Sequence, residues 1–227
     1  MDVGALFSGG KDSAYALYLA SKKHKIKCLI CLNPQRDDSY MFHHPNVDFV
    51  KTQAELMNIP LVFMNSSGEK EIELDDLKAA IEVAKKKYKI QGLVSGALYS
   101  NYQKERVDKI CMEFGLESIA PLWQIDGGYY LRRLLLSNFK VIFTNLAADG
   151  FSEKWLGREL DKNAIADLEG LNKKNKLNIG GEGGEYDTFV LDCPLFSKKI
   201  RIVSYDKKME DAHTGKYIIK KIELENK

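Results

Sequence analysis

Long apolar runs are missing from this sequence. Its longest stretch free of charged side chains, Ile90 to Gln103, contains Gln91, Ser95, Ser100 and Asn101, and falls short of the roughly 20 apolar residues that span a bilayer as a helix. No membrane partner is expected. An excess of one charge is missing too: 34 Lys+Arg against 32 Asp+Glu give a formal net charge of +2. No overall field draws such a chain to nucleic acid or anionic lipid, so no nucleic-acid partner is expected without a motif for one. Cysteine is scarce. Cys28, Cys31, Cys111 and Cys193 are too few and too scattered for the disulfide framework of a secreted domain, which leads us to expect free thiols and a cytoplasmic protein. The first apolar run ends at Phe7, with Asp2 before it, leaving no room for a cleavable signal. Repeats and low-complexity tracts are absent, and NKKNK (Asn172 to Lys176) reads as a solvated loop.

What is present is ordinary globular composition: 227 residues, 44% hydrophobic and 29% charged, enough for a self-sufficient core. Strand and helix signals alternate from the start. Val3 to Phe7 reads as a strand, Asp12 to Lys23 as a helix and Lys25 to Leu32 as a strand. Val47, Val50, Ala54 and Met57 recur at helical spacing before a short strand from Leu61 to Met64. Leu74, Leu77, Ile81, Ala84 and Tyr88 mark an amphipathic helix, followed by strand signal at Gly92 to Ser95. Val107, Ile110, Cys111 and Phe114 form another helical stripe, and Glu117 to Ala120 supplies a fifth strand. Five strands with crossover helices predict an α/β fold with a doubly wound, mostly parallel sheet.

After Pro121 the pattern changes. Leu131, Leu134 and Leu135 signal one helix, and Leu160, Ala164, Leu168 and Leu171 another. Glu182 to Leu191 and Ile200 to Leu224 read as strands with polar interruptions. We therefore expect two domains, 1–122 and a smaller α+β domain over 123–227.

Ser8, Gly9, Gly10, Lys11, Asp12 and Ser13 sit between the first strand and the first helix, at the carboxyl edge of the expected sheet, where such folds bind ligands. Two glycines let the backbone approach an anion. The helix N-terminus adds unpaired N–H groups and the positive end of a dipole, and Ser8, Lys11 and Ser13 add donors. Asp12 would repel phosphate unless a divalent cation intervened, which argues for Mg2+ between carboxylate and phosphate oxygens. The spacing is not that of the GxxxxGKS loop. It resembles instead the SGGxDS loop of the N-type ATP pyrophosphatases, the PP-loop superfamily, and that resemblance implies a Rossmann-like (HUP-like) fold and cleavage of ATP between its α and β phosphates.

SGALYSNYQKER, from Ser95 to Arg106, again follows a strand and opens a helix, so it should face the same crevice. Gln103 lies four residues before Val107 on the apolar face, and points at the crevice or pairs with backbone. Arg106 either reaches a phosphate or lies on a solvated face. In IGGEGGEYDTFVLDCP, Glu182 and Glu185 flank Gly183 and Gly184. Such a loop can surround a cation or a substrate amine, or act as general base; it can equally be a Gly-rich turn. Cys28 and Cys31 form a CLIC pair, but within a strand residues i and i+3 face opposite ways and cannot chelate or bridge. His43 and His44 have no further ligand at a convincing metal spacing, so zinc is not expected.

Taken together, SGGKDS, SYMFHHPN (Ser39 to Asn46), GEKEIELDDL (Gly68 to Leu77), GALYSNYQKERV (Gly96 to Val107), APLW (Ala120 to Trp123), WLGREL (Trp155 to Leu160) and GEGGEYDTFV (Gly181 to Val190) resemble the diphthine–ammonia ligase family, in its order and across both expected domains. Asp187 stands where the family more often has Glu, and Asn178, Ile179 and Gly180 depart from its usual lead-in. The resemblance implies ATP-dependent adenylation of the diphthine carboxylate on elongation factor two, then attack by ammonia to give diphthamide, AMP and pyrophosphate. It implies a nucleotide site of Ser8 to Ser13 with Gly96, Gln103 and Arg106, a metal on Asp12, and catalytic roles for Lys11, Glu182 and Glu185. It also puts His43, Tyr186 and Thr188 at the substrate. No glutaminase-like module is visible, so ammonium is the expected nitrogen donor.

Two other readings are open at this point: a tRNA-modifying PP-loop ligase or thiolase, and a non-catalytic ATP-binding sensor. A thiolase generally carries sulfur on a cysteine, and here CLIC is expected to be buried and Cys111 lies on an apolar stripe. A sensor has no need of the paired glutamates.

Overall fold

The computed structural model describes residues 1–34, 46–66 and 72–227. Its contacts divide the chain into two units, Met1–Trp123 and Gln124–Lys227, which are described separately.

In the first unit the elements alternate: β1 (Asp2–Leu6), α1 (Lys11–Ser21), β2 (Lys25–Pro34), α2 (Val50–Met57), β3 (Leu61–Ser66), α3 (Ile72–Tyr88), β4 (Gly92–Val94), α4 (Asn101–Glu113) and β5 (Glu117–Ile119). The five strands form one sheet in the order β3-β2-β1-β4-β5, and every pairing is parallel. This is the expected doubly wound architecture. β1 is flanked on both sides and buries Val3 and Ala5 completely, while the apolar run Cys28 to Leu32 of β2 is buried throughout, as a strand covered on both faces must be. Leu77, Ala80, Ile81 and Ala84 of α3 and Val107, Ile110 and Cys111 of α4 pack with Cys28, Ile30, Leu32 and Leu93 into one core cluster. The stripes that predicted these helices are the faces they bury.

The chain runs outward from β1 through β2 to β3, then returns to place β4 on the other side of β1. The carboxyl ends of β1 and β4 thus border the point where the winding reverses, where doubly wound sheets receive ligands.

The second unit contains α5 (Gly127–Leu136), β6 (Lys140–Ala147), α6 (Lys162–Asn175), β7 (Tyr186–Asp192), β8 (Lys199–Met209) and β9 (Thr214–Glu225). Its strands form an antiparallel sheet in the order β7-β6-β9-β8. Both helices begin on an aspartate cap: Asp126 Oδ1 accepts from Tyr129 N at 2.7 Å and Asp161 Oδ1 from Ala164 N at 2.7 Å, satisfying first-turn donors that lack an intrahelical acceptor.

Four details differ from the sequence reading. Asn172 to Asn175, read as a loop, form the last turn of α6, which Lys176 caps. β6 was not expected, yet it holds the sheet together between β7 and β9. The strand expected from Glu182 starts at Tyr186, because the preceding residues form a turn. The tract from Ile200 to Leu224 resolves into two strands of a hairpin, closed where Glu210 N donates to Thr214 O at 2.9 Å. Among the described residues, no helix is long and apolar enough to cross a membrane.

Candidate active site

The loop after β1 is built from its own side chains. Gly9 has φ +82, a backbone conformation that L side chains rarely adopt. Gly10 is the N-cap of α1 and supplies no side chain to cap it. Ser13 Oγ accepts from Ser8 N at 3.1 Å, meets Ser8 Oγ at 3.1 Å and donates to Gly10 O at 3.2 Å. The first intrahelical bond is Ala14 N to Gly10 O, at 3.1 Å. The amides of Lys11, Asp12 and Ser13 therefore precede any intrahelical acceptor, the arrangement that receives anions at helix starts. Lys11 is almost completely buried, and its Nζ lies 2.9 Å from Asp12 Oδ2, the Asp12 side chain being 34% exposed. An ammonium taken out of water needs a counter-charge, and Asp12 supplies one.

Gly96 follows β4 and packs directly on this helix start: a Cβ there would lie 2.8 Å from Asp12 C and 2.8 Å from Ser13 N. Ser100 caps α4, its Oγ accepting from Gln103 N at 3.2 Å; the Gln103 side chain is half-buried. The Arg106 guanidinium lies over the ring of Tyr102, 3.3 Å from its centroid, with Nη1 donating to Tyr102 O at 3.3 Å. Its Nε is buried with no partner among the described residues. Arg106 is thus half-buried and folded back on its own helix rather than on a solvated face. His43 lies outside the described residues.

In the second unit, the Gly-rich segment before β7 is held by Glu185. Its Oε1 accepts from Asn178 N at 3.0 Å and its Oε2 from Gly183 N at 2.8 Å. Asn178 Oδ1 accepts from Gly180 N at 2.8 Å, and Gly181 N donates to Asn178 O at 3.0 Å. Gly181 and Gly184 have φ +75 and +82. Gly127 at the start of α5 abuts the same segment, since a Cβ there would lie 2.9 Å from Gly180 N. Glu182 is half-buried in this turn. Tyr186, expected at the substrate, is a core residue, only 2% exposed. Its hydroxyl donates to Ile179 O at 2.6 Å, and its ring packs edge-on against Phe143 and Phe151, which in turn meet Trp155. Thr188 is also buried, opposite Phe143 in the β6–β7 register. The Tyr186 hydroxyl thus braces the turn from the core side.

The four cysteines are free and buried. Burial pushes the thiols of Cys28 and Cys31 up to about 12 and those of Cys111 and Cys193 up to about 11, so none is a ready nucleophile or sulfur carrier. No group of three or more metal-ligating side chains occurs among the described residues.

One site residue escaped the sequence reading. Gln53 on α2 is completely buried and donates from Nε2 to Gly9 O at 3.2 Å. The signal was available: Gln53 falls three residues after Val50 on the apolar stripe of its helix, where a polar group needs a partner.

An anion-receiving loop at the reversal point of a parallel sheet defines the first unit as a doubly wound α/β domain with its ligand-receiving edge at the carboxyl ends of β1 and β4. The family model described as the diphthamide synthase N-terminal domain matches residues 1–118, and that of its C-terminal domain residues 126–224. The chain is 36% identical over 235 residues to the diphthine–ammonia ligase of Mus musculus, covering 93% of this chain and 86% of that protein. It is 35% identical over 227 residues to that of Homo sapiens, covering 90% and 84%. A crystal structure described as a predicted subunit of tRNA methyltransferase from Methanocaldococcus jannaschii is similar over 86% of this chain and 98% of that one, with 18% identity and a TM-score of 0.45. The chain belongs to the diphthamide synthase, or diphthine–ammonia ligase, family.

Proposed function

We propose that this chain is an ATP-dependent carboxylate–ammonia ligase that converts diphthine on elongation factor two into diphthamide, releasing AMP and pyrophosphate. The observation that carries the reading is the match to diphthine–ammonia ligases through both units; the loop from Ser8 to Ser13 is the part of the chain suited to the ATP it requires.

The chemistry follows from the groups present. A carboxylate is inert to ammonia, so its oxygen first attacks the α-phosphorus of ATP and pyrophosphate departs. Ammonia then attacks the acyl carbon, the bond to AMP breaks, and a base takes the surplus proton. The helix-start amides of Lys11, Asp12 and Ser13 would grip the β and γ phosphates, and Lys11 would offset charge on the departing pyrophosphate. Asp12 fits a metal role as a partly exposed carboxylate beside the phosphate loop, since Mg2+ is usually held by one or two carboxylates with phosphate oxygens and waters. When bound there, Mg2+ would supply charge neutralisation on the phosphates. Arg106 would leave the Tyr102 ring to meet the α-phosphate. Both Glu185 oxygens accept backbone N–H groups, so we assign the shape of the turn to Glu185; Glu182, the other carboxylate of the GEGGEY segment, we assign to the handling of ammonium. His43 stays a candidate for the substrate side. We place the protein in the cytoplasm, where its buried free thiols stay reduced.

The test is the bond broken. ATP labelled separately at the α and γ phosphates, incubated with the protein, diphthine-bearing elongation factor and ammonium, should yield labelled AMP and labelled pyrophosphate. ADP and orthophosphate as principal products would remove the assignment.

A further inference from the structure

The phosphate loop is held from a second direction, by a residue outside its motif. Gln53 of α2 is completely buried, and its Nε2 reaches across 44 positions of sequence to donate to Gly9 O at 3.2 Å. Its Oε1 stands 2.5 Å from where a Gly9 Cβ would be, and Val50 Cγ2 stands 3.1 Å from the same point. The two side chains wall off Gly9, the residue with φ +82. Packing alone does not call for an amide here, because a Leu or Met would fill an apolar helix stripe without a polar group to satisfy. The amide has a specific partner, the loop carbonyl.

That bond has a directional consequence. The Gly9–Gly10 peptide is trans, as is every other described peptide bond, so its C=O and N–H point in opposite directions. Fixing Gly9 O toward Gln53 turns Gly10 N away from α2 toward Ser8, where it makes a long contact of 3.4 Å with Ser8 Oγ. An N–H held so loosely is a donor that a phosphate oxygen can take over.

We propose that Gln53 is a positioning residue of the nucleotide site: its carboxamide holds Gly9 in the left-handed conformation and aims Gly10 N–H at the bound phosphates. The inference rests on the nucleotide reading of the loop given above. Gln53 touches no ligand and acts through the loop.

The experiment measures ATP affinity by calorimetry, and thermal melting without nucleotide, for the wild-type chain, Gln53→Leu and Gln53→Glu. Gln53→Leu removes the donor and should weaken ATP binding about ten-fold or more, a loss of about 1.4 kcal/mol. Gln53→Glu sets a carboxylate against Gly9 O at high pH and a protonated donor there at low pH. Its affinity relative to wild type should be poor near pH 8.5 and recover toward wild type near about pH 5.5, because burial raises a carboxyl group into that range. Comparison with wild type at each pH cancels the contributions of the neighbouring charged groups Lys11, Asp12, Lys51 and Glu55, which all three proteins share. Should Gln53→Leu fail to fold, the two ends of the Gln53→Glu profile decide the matter within one protein. Wild-type affinity in both variants, or a Gln53→Glu deficit independent of pH, would overturn this inference alone. Failure of the wild-type chain to bind ATP would overturn the nucleotide reading and this inference with it.

Discussion

Gly96 and Asp12 meet backbone to backbone: a Cβ on Gly96 would lie 2.8 Å from the Asp12 carbonyl carbon and 3.0 Å from its oxygen. No flexible side chain stands between them to give way. Gly96→Ala must therefore push the start of α1 from its place, a strain of about 1–3 kcal/mol. It should weaken ATP binding as well, since the displaced amides are those we propose to grip the phosphates. Calorimetry alongside thermal melts checks this; a lowered melting temperature with unchanged ATP affinity would show that Gly96 serves packing alone.

Asp12→Asn separates charge from shape. Gly10, not Asp12, is the N-cap, so the variant loses no cap. It loses a negative charge in the first turn of α1 and the carboxylate beside Lys11, for a stability change of about 1 kcal/mol. Turnover should fall far more, by roughly 10²-fold or greater, the scale set by removing a charge-stabilising group from an active site. The Mg2+ concentration for half-maximal rate should rise with it. Wild-type kinetics with a lowered melting temperature would confine Asp12 to partnering Lys11.

The two glutamates of the Gly-rich turn should behave differently. Glu182→Gln should leave ATP binding intact, yet lower amide formation by about 10²- to 10⁴-fold, the range for a lost general base. Glu185→Gln replaces one carboxylate oxygen with an NH2 group that opposes a backbone N–H of Asn178 or Gly183. It should destabilise the chain by about 1–3 kcal/mol. Amide formation measured by mass spectrometry and chemical denaturation together distinguish the pair. Equal stability and equal activity losses in both variants would contradict the division of roles.

Much of the first unit was legible because its information is local. A strand, a Gly turn and a helix lie within Asp2 to Ser21, and the apolar stripes of α3 and α4 name their buried faces directly. β6 was missed because its buried run, Val141 to Leu146, is interrupted by Thr144 and Asn145 and lacks the polar alternation that marks a half-exposed strand. The role of Glu185 depends on the backbone of Asn178, seven residues earlier, after the turn has folded back. Gln53 depends on an even longer reach, since only the sheet order brings α2 beside the loop after β1. Residue types near a motif announce chemistry; which of them brace and which react depends on hydrogen bonds that spacing does not encode.

The buried thiols give a pH prediction. Each has a folded-state value raised from the ordinary 9.0, to about 12 for Cys28 and Cys31 and about 11 for Cys111 and Cys193. Above pH 9 the unfolded chain has released protons that the folded chain keeps, so stability is full below pH 9 and falls as pH rises toward 11 and 12. The slope is at most about 1.4 kcal/mol per pH unit for each thiol. Melting temperatures across this window, compared with a variant carrying Cys28→Ala and Cys31→Ala, check the sign. At neutral pH the native protein should leave an aromatic disulfide reagent unreacted until denaturant is added. Prompt reaction of native thiols would contradict their burial.

The central claim is amidation, and isotope transfer tests it most directly. The pure chain is incubated with ATP, Mg2+, ¹⁵N-ammonium and diphthine-bearing elongation factor two, and the modified histidine is analysed by mass spectrometry while AMP is counted. The account predicts one ¹⁵N in the side-chain amide for each AMP released, with no product when either ATP or ammonium is left out. AMP release without label in the histidine, or an unchanged histidine in the complete mixture, would contradict it.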